Sequence, residues 1–239
     1  MPCYNAAQSI SESIRSVQAQ TFSSWELVVA DDGSDDGSPQ LIEKLAANDH
    51  RVVSVLTDDV RSGAAAARNR ALGCASGRYI AFLDADDEWH PSKLEVQFNE
   101  MQKTGAAFSC SGYLVCRENR ADYIRMPPSV ITRRSLLKGN RIGCLTAMYD
   151  THVFGKQPMV DIPMRHDYAL WLHLLSLSPN CLGIQRTLAT HKRRSGSLSA
   201  NPWKTTAATW KMLRRQAGLG SIAATRAVSS HVIGRLWRG

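Results

Sequence analysis

The sequence predicts an α/β domain built on a largely parallel sheet, and three observations point there. Short apolar runs alternate with segments of helical spacing over the first 100 residues, the pattern of strands joined by crossover helices. Two of those runs end in acidic turns, Asp31-Asp32-Gly33-Ser34 and Asp84-Ala85-Asp86-Asp87. A chain of 239 residues, 44% hydrophobic and 21% charged, suits one sizeable globular core rather than disorder or a fibre.

The elements follow in order. Ala6 to Ala19 sets Ile10, Ser13, Ile14 and Val17 near helical spacing, with Glu12 early and Arg15 late as the helix dipole prefers. Glu26 to Ala30 is a buried strand running into the first acidic turn. Ser38 to Ala47 reads as a helix and Val52 to Leu56 as a strand. The run of strong helix formers from Gly63 to Leu72 makes another helix, whose glycine start permits close approach of backbone or phosphate. Gly77 to Leu83 is a strand leading into the second acidic turn, and Pro91 opens a helix to about Lys103. Gly105 to Val115 and Ile142 to Tyr149 read as strands, Arg134 to Lys138 as a short helix, and Asp167 to Leu177 as an amphipathic helix. Beyond Pro202, Trp203 to Arg215 and Ile222 to Trp237 read as helices with apolar and basic faces.

Composition narrows the functional classes. The formal charge is +8, yet residues 168–239 hold eleven of the 29 Lys and Arg and no Asp or Glu, which leaves residues 1–167 at 18 basic against 21 acidic, a net −3. A basic end of this kind suits nucleic acid, anionic lipid or a phosphorylated substrate. The six cysteines form no Cys-x-x-Cys pair, which fits a reduced cytosolic setting and argues against zinc. No apolar run reaches the roughly 18 to 20 residues that span a bilayer, and no basic-then-apolar leader opens the chain, so neither membrane spanning nor export is expected.

The second acidic turn carries the chemistry. Residues two apart in a strand share a side, so the carboxylates of Asp84 and Asp86 converge where the strand ends, the place where open α/β sheets bind ligands. Their hard oxygens suit Mg²⁺ or Mn²⁺, ions that take one or two protein carboxylates and fill the rest of the shell with phosphate oxygens and water. An isolated Asp-x-Asp is equally a polar turn capping the next helix. The first acidic turn would lie along the same sheet edge, and that convergence favours a ligand.

The segments Met1-Pro2-Cys3-Tyr4-Asn5, Gln20-Thr21-Phe22, Trp25-Glu26-Leu27, Asp31-Asp32-Gly33-Ser34, Ala67-Arg68-Asn69 and Phe82-Leu83-Asp84-Ala85-Asp86-Asp87 stand in the order seen in family 2 glycosyltransferases, and resemble the nucleotide-binding half of their GT-A fold. Gly143-Cys144-Leu145-Thr146, His166 to Leu172 and Arg194 to Ser199 resemble the acceptor half, especially of enzymes that build bacterial surface polysaccharides such as teichuronic acid. The resemblance covers residues 1 to 215. It implies a GT-A domain over 1–201, divided near residue 115 into nucleotide-binding and acceptor halves, followed by a basic helical extension over 202–239.

The resemblance also implies roles. Pro2, Tyr4 and Asp32 would contact the nucleoside, Asp32 accepting from the base imide. Arg68 would lie near the phosphates, Asp84 near the ribose or diphosphate, and Asp86 on the divalent metal, Mn²⁺ or Mg²⁺. Asp167 matches the catalytic carboxylate that takes the acceptor hydroxyl's proton in an inverting displacement. Read without the resemblance, Asp167 equally caps a helix starting at Tyr168, and Tyr4 and Arg68 are an ordinary aromatic and a solvated helix charge.

Three departures from the family pattern stand out. Relatives place an apolar strand before the Pro-x-Tyr-Asn segment, and its absence would leave neighbouring strands partly unpaired. Some relatives carry a metal-binding His near Arg194, and arginine cannot ligate a cation but can reach a phosphate. His166 stands where Glu is commoner.

The expectation is therefore an inverting, metal-dependent transferase moving sugar from a nucleotide-sugar donor, UDP-linked, to a hydroxyl of a surface or lipid-linked glycan. It would be cytoplasmic, with its basic end resting on the inner face of the membrane. The rivals are a catalytically silent nucleotide- or glycan-binding relative, a nucleotidylyltransferase, although no Gly-rich signature precedes Asp31, and a nucleic-acid binder, for which no recognition signature is present.

Overall fold

The computed structural model describes residues 1–57, 61–118, 120–193 and 202–236. Pro2–Cys3 (β1) pairs in parallel with Leu27–Asp31 (β2), which pairs in parallel with Val52–Val55 (β3). Ile10–Gln18 (α1) and Ser38–Asn48 (α2) make the crossovers. α1 buries Ile10, Ser13, Ile14 and Val17, the face its spacing predicts. It starts later than the sequence suggests because the backbone N–H groups of Asn5, Ala6 and Ala7 donate instead to Ser34 Oγ, Ser38 Oγ and Asp36 Oδ2, each at 2.9 Å. All five residues of β2 are buried, as a strand covered on both faces should be. Ala64–Cys74 (α3) packs on it, and the small side chains of Ala67 and Ala71 let the helix lie close against Val28 and Ala30.

The remaining strands form a second, seven-stranded sheet. Its members are Tyr79–Ala81 (β4), Asp87–Trp89 (β5), Phe108–Arg117 (β6), Tyr123–Arg125 (β7), Val130–Ile131 (β8), Met148–Asp150 (β9) and Cys181–Arg193 (β10). The order is β4-β9-β6-β10-β5, with β7 on β6 and β8 on β10. The long β6–β10 ladder is parallel, as are β1–β2 and β2–β3, while the other five described ladders, each of two or three pairs, are antiparallel. Lys93–Thr104 (α4), Arg133–Leu137 (α5), Thr151–Phe154 (α6) and His166–Leu177 (α7) accompany it. The central side chain is Trp171 of α7, fully buried with its ring centroid 5.5 Å from those of both Phe82 and Phe108.

Two elements differ from the sequence reading. The expected strand over 142–149 is mostly a 3-10 turn at Cys144–Thr146, with β9 starting only at Met148. Side chains claim its carbonyls: Trp89 Nε1 donates to Leu145 O and Gln97 Nε2 to Thr146 O, both at 2.8 Å. The strand expected over 77–83 narrows to Tyr79–Ala81. It is not hydrogen-bonded to β2; a cleft of about 700 Å³, walled by Leu27, Val28, Ile80 and Leu83, separates them. The Met1 amine sits at this cleft and donates to Val28 O at 2.7 Å, while burial, then Arg68, lowers its pKa to about 5.

The C-terminal segment forms two helices, Pro202–Arg215 (α8) and Ser221–Leu236 (α9). They are docked: Met212, Leu213 and Ala224 are buried in the same core as Trp171. Arg133 Nη2 donates to Ala217 O at 3.2 Å beside them.

One buried charge tests the packing. Lys93 is fully buried, with its ammonium 3.9 Å from the Trp89 ring centroid and no hydrogen-bond partner among the described residues. Burial lowers its pKa from 10.5 to about 7. Between those two values the unfolded chain holds the extra proton, so this group makes stability rise with pH across that window, and its penalty is fully present below the lower value. Denaturant unfolding of Lys93→Met as a function of pH should show a variant more stable than the parent near pH 6, with the gap closing towards pH 10.

Candidate active site

Of the sequence-predicted residues, Asp32 and Asp84 bond to α3 or its cap, and Arg68 belongs to it. Asp31 closes its own turn, accepting from Gly33 N at 3.0 Å, Ser34 N at 2.9 Å and Ser34 Oγ at 2.6 Å. Asp32 faces inward and is 2% exposed. Its oxygens accept from Gly63 N (2.7 Å), Ser62 N (3.1 Å), Ser62 Oγ (2.6 Å) and Arg70 Nη2 (2.9 Å). Burial raises its pKa, but these donors outweigh burial and hold the carboxyl below its ordinary range. The carboxylate so placed complements the positive end of α3, and Gly63, at φ 95°, supplies the backbone turn that brings the amides to it. The carboxylate that the resemblance places at the base imide is thus held in position by protein donors. Pro2 sits in β1 beside Ala30, and Tyr4 is 39% exposed with the Arg61 guanidinium 4.0 Å from its ring centroid.

Two residues before Arg70, Arg68 leaves α3 on another side. It is 7% exposed. Its Nη2 donates to Asp84 Oδ1 at 2.5 Å, and its Nη1 to His166 Nε2 at 2.7 Å. The guanidinium thus joins two protein groups, while its Nε makes no hydrogen bond among the described residues. Burial raises the Asp84 pKa, but Arg68 more than compensates and keeps it low. Accepting at Nε2 fixes the His166 tautomer, so Nδ1 carries the proton and donates to Ile162 O at 3.3 Å. Burial and then Arg68 lower the His166 pKa, so this ring is neutral beside Asp167.

Asp167 does not cap α7. The cap is Arg165, at the left-handed φ of 69°, and α7 starts at His166, so Asp167 stands half-buried in the first turn. Its charge acts on Arg68, His166 and Cys144, which places it in the same cluster as Asp84. The Cys144 thiol is pushed well up by burial, with Arg68 opposing and Asp84, Asp167 and Asp87 reinforcing.

Asp86 stands half-buried in the turn between Asp84 and Asp87. The sequence reading missed what lies across from it. Asp87 is 2% exposed and accepts from His191 Nδ1 at 2.9 Å and from Lys192 N at 3.2 Å. Burial raises Asp87 to about 6, against the pull of His191 and with the push of Asp84 and Asp86. The hydrogen bond to Asp87 raises the His191 pKa in turn, so the two titrations are linked. β10 was invisible as a strand because Gly183, Gln185, Arg186 and Thr187 interrupt any apolar run. Asn69 was missed as well: its side chain bonds both the N–H and the carbonyl of Met159, each at 2.8 Å, holding the segment that leads to α7. Arg194, and the motif from it to Ser199, lie outside the described residues.

This donor set suits a hard divalent cation only in partnership with a ligand. Asp84 and Asp86 supply carboxylate oxygens, yet among the described residues no group of three or more His, Cys, Asp or Glu is arranged to hold a metal alone. A nucleoside diphosphate would complete such a shell.

Comparison with known proteins gives the class. The sequence model of glycosyl transferase family 2 matches residues 1–155. The chain belongs to glycosyl transferase family 2. This glycosyltransferase is 37% identical over 226 residues, 94% of its own length and 89% of the relative's, to the Bacillus subtilis (strain 168) protein named for teichuronic acid biosynthesis, TuaG. It is 39% identical over 217 residues, 89% of its length and 83% of the relative's, to the Escherichia coli UDP-Glc:alpha-D-GlcNAc-diphosphoundecaprenol beta-1,3-glucosyltransferase WfgD. Its fold matches that of S. aureus TarS 1-349 crystallised with UDP-GlcNAc, at a TM-score of 0.74 and 18% identity over 97% of this chain and 70% of that one. A mannosyltransferase from Pyrobaculum calidifontis, crystallised with GDP-Man and Mn2+, matches at 0.64 and 16% identity over 95% of this chain and 68% of that one. The GT-A α/β expectation holds, and membership of this family sets aside the nucleotidylyltransferase and nucleic-acid readings.

Removing one partner of the Arg68 cluster should cost stability. Asp84 keeps its side chain 34% exposed, so Arg68→Met should lose about 2 kcal/mol in urea unfolding, less than the roughly 3 to 5 kcal/mol of a fully buried pair.

Proposed function

We propose that this glycosyltransferase transfers a sugar, with inversion, from a UDP-sugar to a hydroxyl of a lipid-linked surface-polysaccharide glycan. The observation that carries the reading is the Arg68 contact, because it ties Asp84 of the donor turn to His166, the neighbour of Asp167. Two relatives support the substrates: WfgD is named for a UDP-glucose donor and a diphosphoundecaprenol-linked acceptor, and TuaG for a cell-surface polymer.

In the proposed mechanism Asp167 accepts the proton of the acceptor hydroxyl as its oxygen forms the new bond to the anomeric carbon. The bond from that carbon to the diphosphate oxygen breaks on the opposite face, and its electron pair leaves with UDP. A single displacement of this kind needs one base and no enzyme nucleophile. Asp86, with Asp84 beside it, would hold a divalent cation, Mn²⁺ or Mg²⁺, which when bound neutralises charge on the departing diphosphate. Asp84 would also lie at the ribose or diphosphate, its orientation fixed by Arg68. Pro2, Tyr4 and Asp32 would contact the nucleoside, Asp32 from a carboxylate that also holds the Ser62–Gly63 backbone. Nucleotide-binding and acceptor halves meet at α3, the halves being about 1–115 and 116–201, with 202–239 as the helical extension. An acceptor on a lipid carrier would place the chain at the inner face of the cell membrane as a peripheral protein.

Two variants test the reading in a UDP-sugar transfer assay on folded protein. Asp167→Asn should lower kcat by about 10² to 10⁴ with donor binding retained. Asp86→Ala should abolish the Mn²⁺-dependent part of UDP binding measured by calorimetry. Full kcat in Asp167→Asn would remove Asp167 as the base, and metal-dependent binding that survives Asp86→Ala would move the cation elsewhere.

A further inference from the structure

We infer that the outward face of the α8–α9 hairpin docks onto an anionic lipid bilayer. The inference rests on the lipid-linked acceptor proposed above and names the surface that meets its membrane.

The face is built by helical spacing. On α8, Trp203, Ala207, Trp210 and Arg214 follow one another at i, i+4, i+7 and i+11, and all are exposed, Trp203 at 84%. Lys204, Lys211 and Arg215 form an adjacent exposed stripe. The opposite side is spent on the fold, with Thr205, Thr209, Met212 and Leu213 buried. On α9, Ile222, Arg226 and Ser229 repeat the pattern, Ile222 being 72% exposed. Trp210 Nε1 donates to Thr225 Oγ1 at 3.2 Å, which joins the two exposed sides into one surface.

Its chemistry selects the partner. A large aromatic such as Trp203 is a poor choice for water but a good one for a membrane interface, where the ring body is buried and its N–H stays wet. Five exposed cations lie on the same two helices, Lys204, Lys211, Arg214, Arg215 and Arg226, Arg214 with its guanidinium 5.6 Å from the Trp210 ring centroid, and residues 168–239 contain no Asp or Glu to oppose them. A basic face with embedded Trp and Ile is what an interfacial helix presents to anionic headgroups. No helix among the described residues is long and apolar enough to cross a membrane. The hairpin therefore rests on the surface, while its buried side anchors it to the catalytic core.

The test is sedimentation of the whole chain with vesicles of phosphatidylcholine containing phosphatidylglycerol, against vesicles of phosphatidylcholine alone. The chain should bind the anionic vesicles and not the neutral ones. Trp203→Ala, and separately Lys204→Glu with Lys211→Glu, should each lower that binding about tenfold or more, with thermal unfolding and transfer to a short water-soluble acceptor retained. The vesicles carry no glycan, so failure of the acceptor reading leaves vesicle binding intact, whereas transfer without vesicle binding overturns the docking surface alone. Equal binding to both vesicles, or full binding by the variants, overturns it too. Preference for a poly-thymidine strand over the anionic vesicles would give the face to nucleic acid and overturn it likewise.

Discussion

The site depends on one buried guanidinium. Arg68 leaves α3, meets the Asp84 carboxylate just beyond β4, and meets His166 at the start of α7. Each contact constrains the next: Asp84 stays ionised because Arg68 is beside it, and His166 stays neutral partly because the same charge disfavours a second proton. Asp167 follows His166 directly, so its position is set by a contact made from the other half of the chain. Asn69 reinforces this by clamping Met159 upstream of α7. The Ala67-Arg68-Asn69 segment thus joins the acidic turn after β4 to the start of α7, the donor and acceptor sides of the proposed mechanism.

A second joint lies at the other end of the acidic turn. Asp87 is hydrogen-bonded to His191 at the end of β10, and Lys192 reaches Glu12 of α1 and Glu88 of β5. The turn carrying Asp86 is therefore held from both sides by side chains far away in sequence. Preorganisation of this kind is what an electrostatically assisted displacement requires, because carboxylates that must wait for a charge to develop do not then need to move.

Much of this was legible in the sequence, for definite reasons. α1, β2, α2 and α7 carry strong periodicity or unbroken apolar runs, and both acidic turns punctuate strands. The partners of Asp32 were not legible because a carboxylate at a strand end looks the same whether or not it receives the amides that open the next helix; the Ser62 and Gly63 contacts come only from the fold. The partners of Arg68 were not legible for a similar reason, since a helix-borne arginine gives no sign of which carboxylate or ring it meets. β10 and His191 were missed because a strand with glycine and polar residues at its centre has no apolar signature, and its pairing comes from β6 and β5. The expected strand over 142–149 failed because Trp89 and Gln97 take the carbonyls that a ladder would need.

The central claim is that Arg68 and Asp84 act as one unit in transfer. It is tested most directly by a double-mutant cycle on kcat/KM for sugar transfer, using Arg68→Lys, Asp84→Asn and the double variant, each assayed on folded protein. If the two residues work through their shared contact, the double variant should be about as slow as the worse single one, a coupling of tenfold or more. Losses that simply multiply would show that the two residues act independently, and would contradict the account.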